Sequence, residues 1–388
     1  MSTDGVFRPR SGSPRVARRS IPALAARLCA PILCAVSLTA CPGQEKTTIA
    51  LESQPAWRSA VRAEPVLPAG HDRAQGLWND PSVLKIGEQY VMYMASSIEQ
   101  PFQPPIVPFR AVSSNGIDWT LSPKEPLLSS KGTPFANIET PSVVMFGGKY
   151  HMYYTGVFPK GAVPAMAIGH AVSTDGISWK DDRRAVIVAT GKVSDWNGYL
   201  VAEPGAVVYR GKIYLYFTAM GSRPGGKPPQ LQTIGLVTTA DGETFDEARI
   251  VLRQSENYPP TKGFVGYSTP CAVVLDGKMH LFHDVVAFFD KGNPQWQQVA
   301  LQHAVSDDGE TGFRQDAKPL LVREDLHYTS GEILGPSALV DDGRLKLWFS
   351  GHVTYAELVP FVARGYRGNE FGIGYAELDL NAFRSAAQ

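Results

Sequence analysis

The sequence Pro141-Ser142-Val143-Val144, followed by a turn at 147–149 and the alternating run Tyr150-His151-Met152-Tyr153-Tyr154, decides the fold because it recurs along the chain. Successive copies are separated by 60, 63, 66 and 66 residues, and they open at Pro81, Pro141, Pro204, Pro270 and Pro336. In each copy a glycine-centred turn joins a short apolar run to an alternating one, which is the pattern of a β-hairpin.

A third strand ending in an Asn-Gly or Asp-Gly turn follows in four copies, and a fourth strand is predicted at 126–128, 186–188, 250–252 and 319–321. The fifth copy lacks its fourth strand, whereas residues 64–67, ahead of the first copy, supply a spare one. The sequence therefore predicts an all-β fold, a five-bladed β-propeller of four-stranded antiparallel blades over 63–380, with the N-terminal strand closing the ring.

The long connections predict where a functional site lies. Segments between second and third strands are long, at 95–109, 156–166, 220–232, 286–298 and 351–369. In an up-and-down blade they share a face with the start of each innermost strand. Residues just before the opening prolines should therefore meet at the axis, inside a ring of loops, where binding sites commonly occur.

The N-terminus indicates export. Five arginines in the first nineteen residues precede a broken apolar stretch, and Leu38-Thr39-Ala40-Cys41 resembles a bacterial lipobox. We expect a signal peptide at 1–40, lipidation of Cys41, a linker over 41–62 and a C-terminal tail at 381–388. The lipid would hold the protein at a bacterial membrane, in the periplasm or at the cell surface. A plain secretory signal and a twin-arginine signal at Arg18-Arg19 are the alternatives.

The charge balance argues against a nucleic-acid partner. Lys plus Arg and Asp plus Glu both number 37, and removal of residues 1–40 leaves 31 basic and 36 acidic residues. A net charge of −5 provides no basic surface for a phosphate backbone. We expect a monomer.

Acidic residues stand at the converging positions of three blades. The pairs before the opening prolines are Asn79-Asp80, Glu139-Thr140, Ala202-Glu203, Ser268-Thr269 and Leu334-Gly335. Carboxylates gathered at one axis shift each other's pKa values, and paired carboxyl groups are what glycoside hydrolysis needs. The alternative is that these acids only cap strands, bind backbone amides or hold a cation.

The chain resembles the five-bladed glycoside hydrolases of families 43, 32, 62 and 68. Trp78-Asn79-Asp80-Pro81 is similar to their first-blade motif, and Ala202-Glu203-Pro204 stands where they place the general acid. The resemblance implies that Asp80 is the base or nucleophile and Glu203 the acid. It implies a pKa-modulating, sugar-holding role for Glu139, although that group carries an aspartate there. Family 43 favours arabinose- or xylose-type glycosides, and no cofactor is required.

Further residues are candidates for carbohydrate binding. Four aromatic residues in or beside the long loops could stack on sugars, and five polar residues near the predicted pocket could contact substrate. They are Trp78, Trp196, Tyr199 and Tyr267, and Asn79, His283, Asp284, Glu332 and His352. Core packing is the alternative for each of them. A structural cation in the central channel stays open.

Two other functions fit the same scaffold. A phosphorylase of the family 130 type would need basic residues around phosphate, and Arg110, Arg223 and Arg364 lie in or beside loops without an evident cluster. A non-catalytic carbohydrate-binding lipoprotein is the second alternative. A sialidase fits least, because five blades are counted and no arginine triad is evident.

Overall fold

A computed structural model describes residues 50–73, 76–99, 103–162, 164–192, 194–221, 231–289, 295–353 and 369–386. The predicted signal peptide and Cys41 lie outside these residues. Within them, no helix is long and apolar enough to cross a membrane.

The strands form five antiparallel sheets, one for each predicted blade. Blade one contains β2 (Asn79–Ile86), β3 (Gln89–Ser97), β4 (Ile106–Ser113) and β5 (Thr120–Leu121). Blade two contains β6 (Asn137–Phe146), β7 (Lys149–Val157), β8 (Met166–Ser173) and β9 (Lys180–Val188). Blade three contains β10 (Leu200–Tyr209), β11 (Lys212–Met220), β12 (Gln232–Thr239) and β13 (Arg249–Leu252). Blades four and five contain β14 (Phe264–Leu275), β15 (Lys278–Phe289), β16 (Gln295–Ser306), β17 (Arg314–Gln315) and β18 (Leu321–Val322); and β19 (Glu332–Asp341), β20 (Arg344–His352) and β21 (Phe371–Asp379), joined by β1 (Leu67–Pro68).

The closing strand lies where the sequence predicts it. Leu67 pairs with Ile373 and Pro68 with Gly372 in the last blade, and the backbone N–H of Val66 donates to the carbonyl of Ile373 at 2.8 Å. The five-bladed fold and its N-terminal closure are therefore confirmed.

The fourth strands differ in detail from the prediction. In blade one the fourth strand is β5, and residues 126–128 contribute only a hydrogen bond from the Leu127 N–H to the Pro108 carbonyl. Pro126 has no N–H to donate, which limits pairing there. In blade four the outer edge consists of two short pieces, because β17 and β18 both pair with β16.

The segments predicted as linker and tail carry short helices. Helix α1 (Pro55–Ala60) and helix α2 (Leu380–Ala386) contact each other through Trp57 and Phe383, whose buried rings lie 6.4 Å apart, edge to face. Both rings belong to the apolar cluster between blades four and five. Three one-turn 3-10 helices occupy Pro260–Lys262, Arg323–Asp325 and His327–Thr329.

In four of the five blades, the residue after the opening proline joins its inner strand to that of the next blade. Ser82, Ser142 and Ser337 accept the backbone N–H of Val143, Ala206 and Val83 in the following blade at 2.8–3.0 Å, and Cys271 Sγ accepts that of Ala338 at 3.3 Å. These strands enclose a channel of about 360 Å³, which ends at the residues before the prolines.

Candidate active site

Five residues at one backbone position form a ring around the axis, which we call the axial ring. Each residue precedes an opening proline and has a left-handed φ: Asp80 (53°), Thr140 (48°), Glu203 (53°), Thr269 (47°) and Gly335 (61°). In every blade the pairing of the first two strands shifts register at this point. Such bulges redirect side chains, and left-handed non-glycine residues cluster at functional sites.

The ring corrects the sequence interpretation of Glu139. Asp80 and Glu203 are ring members, but blade two contributes Thr140, whereas Glu139 occupies the preceding position that Asn79 holds in blade one. Glu139 nevertheless approaches Asp80, because both residues line a cavity of about 50 Å³ between blades one, two and five. The three acids therefore meet near the axis, although they are not equivalent.

Asp80 is held by hydrogen bonds on both its backbone and its side chain. Its N–H donates to Ser350 Oγ at 2.8 Å, and its Oδ2 accepts from Asn79 Nδ2 and from Thr140 Oγ1, each at 3.2 Å. The side chain is buried. Burial, together with the charge of Glu203, raises the pKa of Asp80 to about 7, against the bond from Thr140.

Glycine at the fifth ring position leaves room beside this carboxylate. A Cβ on Gly335 would lie 3.2 Å from Asp80 Oδ1, and its φ of 61° is one that side-chain-bearing residues seldom adopt. Glycine at this position therefore avoids crowding the Asp80 carboxylate.

Glu203 is supported by the blades on either side. Its N–H donates to Thr155 Oγ1 at 2.7 Å, and its Oε2 accepts the N–H of Thr269 at 3.2 Å. Burial raises the pKa of Glu203, while hydrogen bonds from Thr218 and Thr269 oppose the rise. A carboxyl group that keeps its proton toward neutral pH can act as a general acid.

Glu139 is the third acid, and its main electrostatic partner is Asp80. Its Oε1 accepts from Asn137 Nδ2 at 2.8 Å. Burial and then the charge of Asp80 raise the pKa of Glu139 to about 8, with Glu203 contributing less. Because the carboxyl groups are coupled, they lose their protons as a set rather than independently.

Asp284 has a place in the structure that the sequence did not suggest. In three other blades a hydroxyl at the matching second-strand position accepts the N–H of the next ring residue: Ser350 for Asp80, Thr155 for Glu203 and Thr218 for Thr269. Asp284 does the same for Gly335, at 3.1 and 3.3 Å. Asp284 is fully buried, so its predicted substrate contact is not seen.

His283 is likewise a core residue rather than a pocket residue. It is fully buried, its Nε2 lies 3.2 Å from Gln315 Nε2, and its ring lies 4.5 Å from that of Tyr267. The predicted contact of His283 with substrate is therefore not supported by its position.

The aromatic candidates divide into two groups. Trp78 and Tyr267 are fully buried, with Trp78 packed edge to face against Phe109, so neither offers a ring face for sugar stacking, and that prediction is wrong. Trp196 and Tyr199 are half-buried, and Trp196 stacks on Phe217 at 6.0 Å. Their contact with sugar stays a prediction.

His352 and Glu332 lie beside the proposed base. His352 Nε2 is 3.0 Å from Asn79 Oδ1, and His352 Nδ1 is 3.2 Å from Glu332 Oε2. The His352 ring stacks on Phe371 at 4.3 Å, with 12° between the planes. Asn79, His352 and Phe371 all line the cavity next to Asp80.

Sequence reasoning missed Thr140, Thr269 and Gly335 as members of the site. Their signal was present, since each directly precedes an opening proline. The two residues before each proline look equivalent in the sequence, but only the second of them belongs to the axial ring. Among the described residues, no group of three or more His, Cys, Asp or Glu side chains is arranged to hold a metal ion.

Comparisons with known proteins agree with the fold. The model of the glycosyl hydrolases family 32 N-terminal domain matches residues 134–264, which include Glu139 and Glu203. No curated protein matches the chain by sequence.

Solved structures share the fold over most of the chain. A GH43_1 enzyme from Xanthomonas citri, complexed with xylotriose, has a TM-score of 0.53 at 15% identity and covers 84% of this chain and 92% of its own. The α-L-arabinofuranosidase PaAbf62A from Podospora anserina, complexed with cellotriose, has a TM-score of 0.53 at 11% identity. The match covers 81% of this chain and 95% of that enzyme. An N-acetylgalactosamine deacetylase from F. plautii, complexed with blood group B trisaccharide, has a TM-score of 0.58 at 16% identity. The match covers 84% of this chain and 97% of that enzyme.

The fold is a five-bladed propeller, and its segment 134–264 is similar to the N-terminal domain of family 32 glycosyl hydrolases. The resemblance drawn from the sequence is confirmed. The family match over residues 134–264 supports the expectation of an enzyme, whereas the solved structures, at 11–16% identity, show the fold.

Proposed function

We propose that the protein is an inverting glycoside hydrolase in which Asp80 is the general base and Glu203 the general acid. The observation that carries the proposal is that both carboxyl groups occupy the same position in a five-fold ring and influence each other electrostatically. The repeat makes the ring positions equivalent, yet only blades one and three place acids on it. A purely structural ring would not need that asymmetry.

The proposed reaction is a single displacement. Glu203 gives its proton to the oxygen of the leaving group while Asp80 takes a proton from the water that attacks the anomeric carbon. The C–O bond to the leaving group breaks as the new C–O bond forms, so the anomeric configuration inverts. Inversion requires carboxyl groups roughly 6.5–9.5 Å apart, whereas retention requires about 5–5.5 Å.

Glu139 is proposed to hold the sugar and to adjust the base rather than mainly the acid. Its charge partner is Asp80 before Glu203, and it shares the cavity with Asp80. When Glu139 is protonated, it can donate a hydrogen bond to a sugar hydroxyl and adds no negative charge beside Asp80. This role differs from that of the acid's modulator, which the family resemblance implies.

Glycosides of arabinose or xylose are the proposed substrates. Support comes from the family resemblance and from two structural neighbours, an α-L-arabinofuranosidase and an enzyme complexed with xylotriose. Aryl α-L-arabinofuranosides and β-D-xylosides, followed by plant polysaccharides, are therefore the first compounds to test. Assays with and without inorganic phosphate separate hydrolysis from phosphorolysis.

The roles of the two acids predict different kinetic losses. Asp80→Asn and Glu203→Gln should each lower kcat/KM by about 10²–10⁴-fold while the fold is kept. Aryl substrates with good leaving groups should largely spare Glu203→Gln, because such groups need little protonation, but they should not spare Asp80→Asn. Steady-state kinetics measure the losses, and NMR of the first product gives its anomeric form. Full activity of Asp80→Asn, or a retained configuration, would contradict the proposal.

A further inference from the structure

Four side chains form a continuous hydrogen-bonded line that ends on the proposed base. Glu332 Oε2 is 3.2 Å from His352 Nδ1, His352 Nε2 is 3.0 Å from Asn79 Oδ1, and Asn79 Nδ2 is 3.2 Å from Asp80 Oδ2. The line crosses from blade five to blade one.

Strand register fixes the members of this line. Glu332 on β19 pairs directly with His352 on β20, and His352 pairs directly with Phe371 on β21. The imidazole is buried, with 5% of the residue exposed, and its face is covered by the Phe371 ring. The imidazole therefore has one edge toward Glu332 and the other toward Asn79.

The polarity of the line follows from what each group can donate. An ionised Asp80 only accepts hydrogen bonds, so the NH₂ group of Asn79 faces it and the amide oxygen faces His352. His352 Nε2 must then carry a hydrogen. Nδ1 then lies against the Glu332 carboxyl, and this contact keeps the imidazole in its orientation.

We propose that Glu332 and His352 are positioning residues for Asp80, acting through the amide of Asn79. The inference rests on the proposed function, because it assigns these residues to the base of that reaction. A rotated Asn79 amide would present its oxygen to the Asp80 carboxylate, which is a repulsive contact. Fixing the amide therefore fixes the orientation of Asp80 and keeps an N–H donor on its carboxylate.

The charged neighbours of the line determine the expected pH effect. His352 is faced by Glu332 from β19, by Asn79 from β2 and by the Phe371 ring from β21. The carboxyl of Asp80 is influenced by Glu203 from β10 and, more weakly, by Glu332. Glu139 from β6 lies in the same cavity. Loss of the bond from Asn79 removes one donor from the ionised carboxylate and leaves the bond from Thr140 to oppose these charges, so Asp80 should ionise at higher pH.

The decisive experiment is a double-mutant cycle on His352 and Asn79. His352→Phe keeps a ring over Phe371 but cannot donate to Asn79. It should lower kcat/KM by roughly 10²-fold, as a misplaced reacting group does, and move the acidic limb of the pH profile upward. Asn79→Ala should act alike. The double variant should be no worse than Asn79→Ala alone, within about twofold, because the two residues act in series.

Rescue and control variants separate positioning from structural damage. His352→Gln retains an N–H donor and should recover most of the rate. Glu332→Gln should give a smaller loss of rate, and its acidic limb should rise less than that of His352→Phe, because the substitution also removes a charge that raises the pKa of Asp80. His280→Phe removes another buried second-strand histidine, whose Nδ1 is 3.0 Å from His303 Nε2 in blade four. It should leave the pH limb unchanged.

The two proposals fail in different ways. Asp80→Asn serves as the reference: if that variant keeps its activity, the proposed function is wrong. If Asp80→Asn is inactive while His352→Phe keeps the parent rate and pH limb, only the positioning role is overturned. Multiplicative losses in the double variant would also overturn it. Circular dichroism of each variant confirms that the fold is intact.

Discussion

Asp80 shows how one residue can serve a reaction while opposing stability. The folded protein keeps its carboxyl protonated to about pH 7, whereas the unfolded chain releases that proton near pH 4. The free energy of unfolding therefore falls as pH rises between these values. The loss of stability amounts to at most about 4 kcal/mol, and part of it is shared with the coupled acids.

Replacing the Asp80 carboxyl with a group that does not ionise should stabilise the fold, and the size of the effect should depend on pH. Asp80→Asn should raise the free energy of unfolding more at pH 8 than at pH 5, because the amide does not ionise. Urea titrations at the two pH values measure the difference. The matched control is Glu88→Gln, which neutralises an exposed carboxylate in the turn between the first two strands of the same blade. Equal gains at both pH values would show that Asp80 has no raised pKa.

At the scale of the element, the bulge at the start of each inner strand is the repeated unit of the site. Five bulges place five left-handed residues at the axis. The N–H groups of four of these residues are satisfied by an acceptor side chain of the preceding blade, and the acceptors are Ser350, Thr155, Thr218 and Asp284. Satisfying a buried N–H is worth about 1–3 kcal/mol compared with leaving it without a partner. The repeat therefore supports a strained backbone with the same device in neighbouring blades.

Asp284 should be replaceable by the residue that blade five uses at this position. Asp284→Ser should fold and keep an acceptor for the Gly335 N–H. Burial raises the pKa of Asp284 well above its ordinary value, so its ionisation at high pH destabilises the fold. Asp284→Ser should therefore raise the free energy of unfolding more at pH 8 than at pH 5. Asp284→Leu should instead lose about 1–3 kcal/mol, since that N–H would have no acceptor. Thermal unfolding at both pH values tests the pair, and equal behaviour of Ser and Leu would contradict the shared role.

The closing strand joins the two ends of the propeller. Leu67 is fully buried, pairs with Ile373 and packs in the cluster between blades five and one. Leu67→Ala should cost about 2–5 kcal/mol, which is the range for truncating a buried leucine. Chemical denaturation measures the loss. Leu231→Ala, at a leucine with 38% of its area exposed, should cost far less, and equal costs would show that the closure contributes little.

At the scale of the whole molecule, the lipobox-like Leu38 to Cys41 motivates a proposed membrane anchor. Cys41→Ser should leave the propeller folded but release it from the membrane fraction, or block processing of the precursor. Cys34→Ser, within the apolar stretch before the motif, is the matched control and should stay anchored. Membrane fractionation and the mass of the mature N-terminus provide the measurements. Unchanged anchoring of Cys41→Ser would argue against a lipoprotein.

The sequence by itself determined the architecture and two members of the axial ring. The opening prolines recur at nearly constant intervals, and each repeat contains the turns and alternating runs of a blade, so blade number, strand order and closure could be read directly. Asp80 and Glu203 followed, because a residue directly before an opening proline keeps its phase in the repeat. Local signals of this kind survive folding unchanged.

Only the tertiary structure decided which of the other candidates face the axis. Glu139 was grouped with Asp80, but the bulge makes two adjacent residues differ in direction, and sequence spacing does not show the bulge. Trp78 and Tyr267 were candidate platforms, yet packing between neighbouring blades buries their rings. His352 meets Asn79 across the blade junction, 273 residues away in the chain. Contacts of this kind depend on how the blades close around the axis, and no local pattern specifies them.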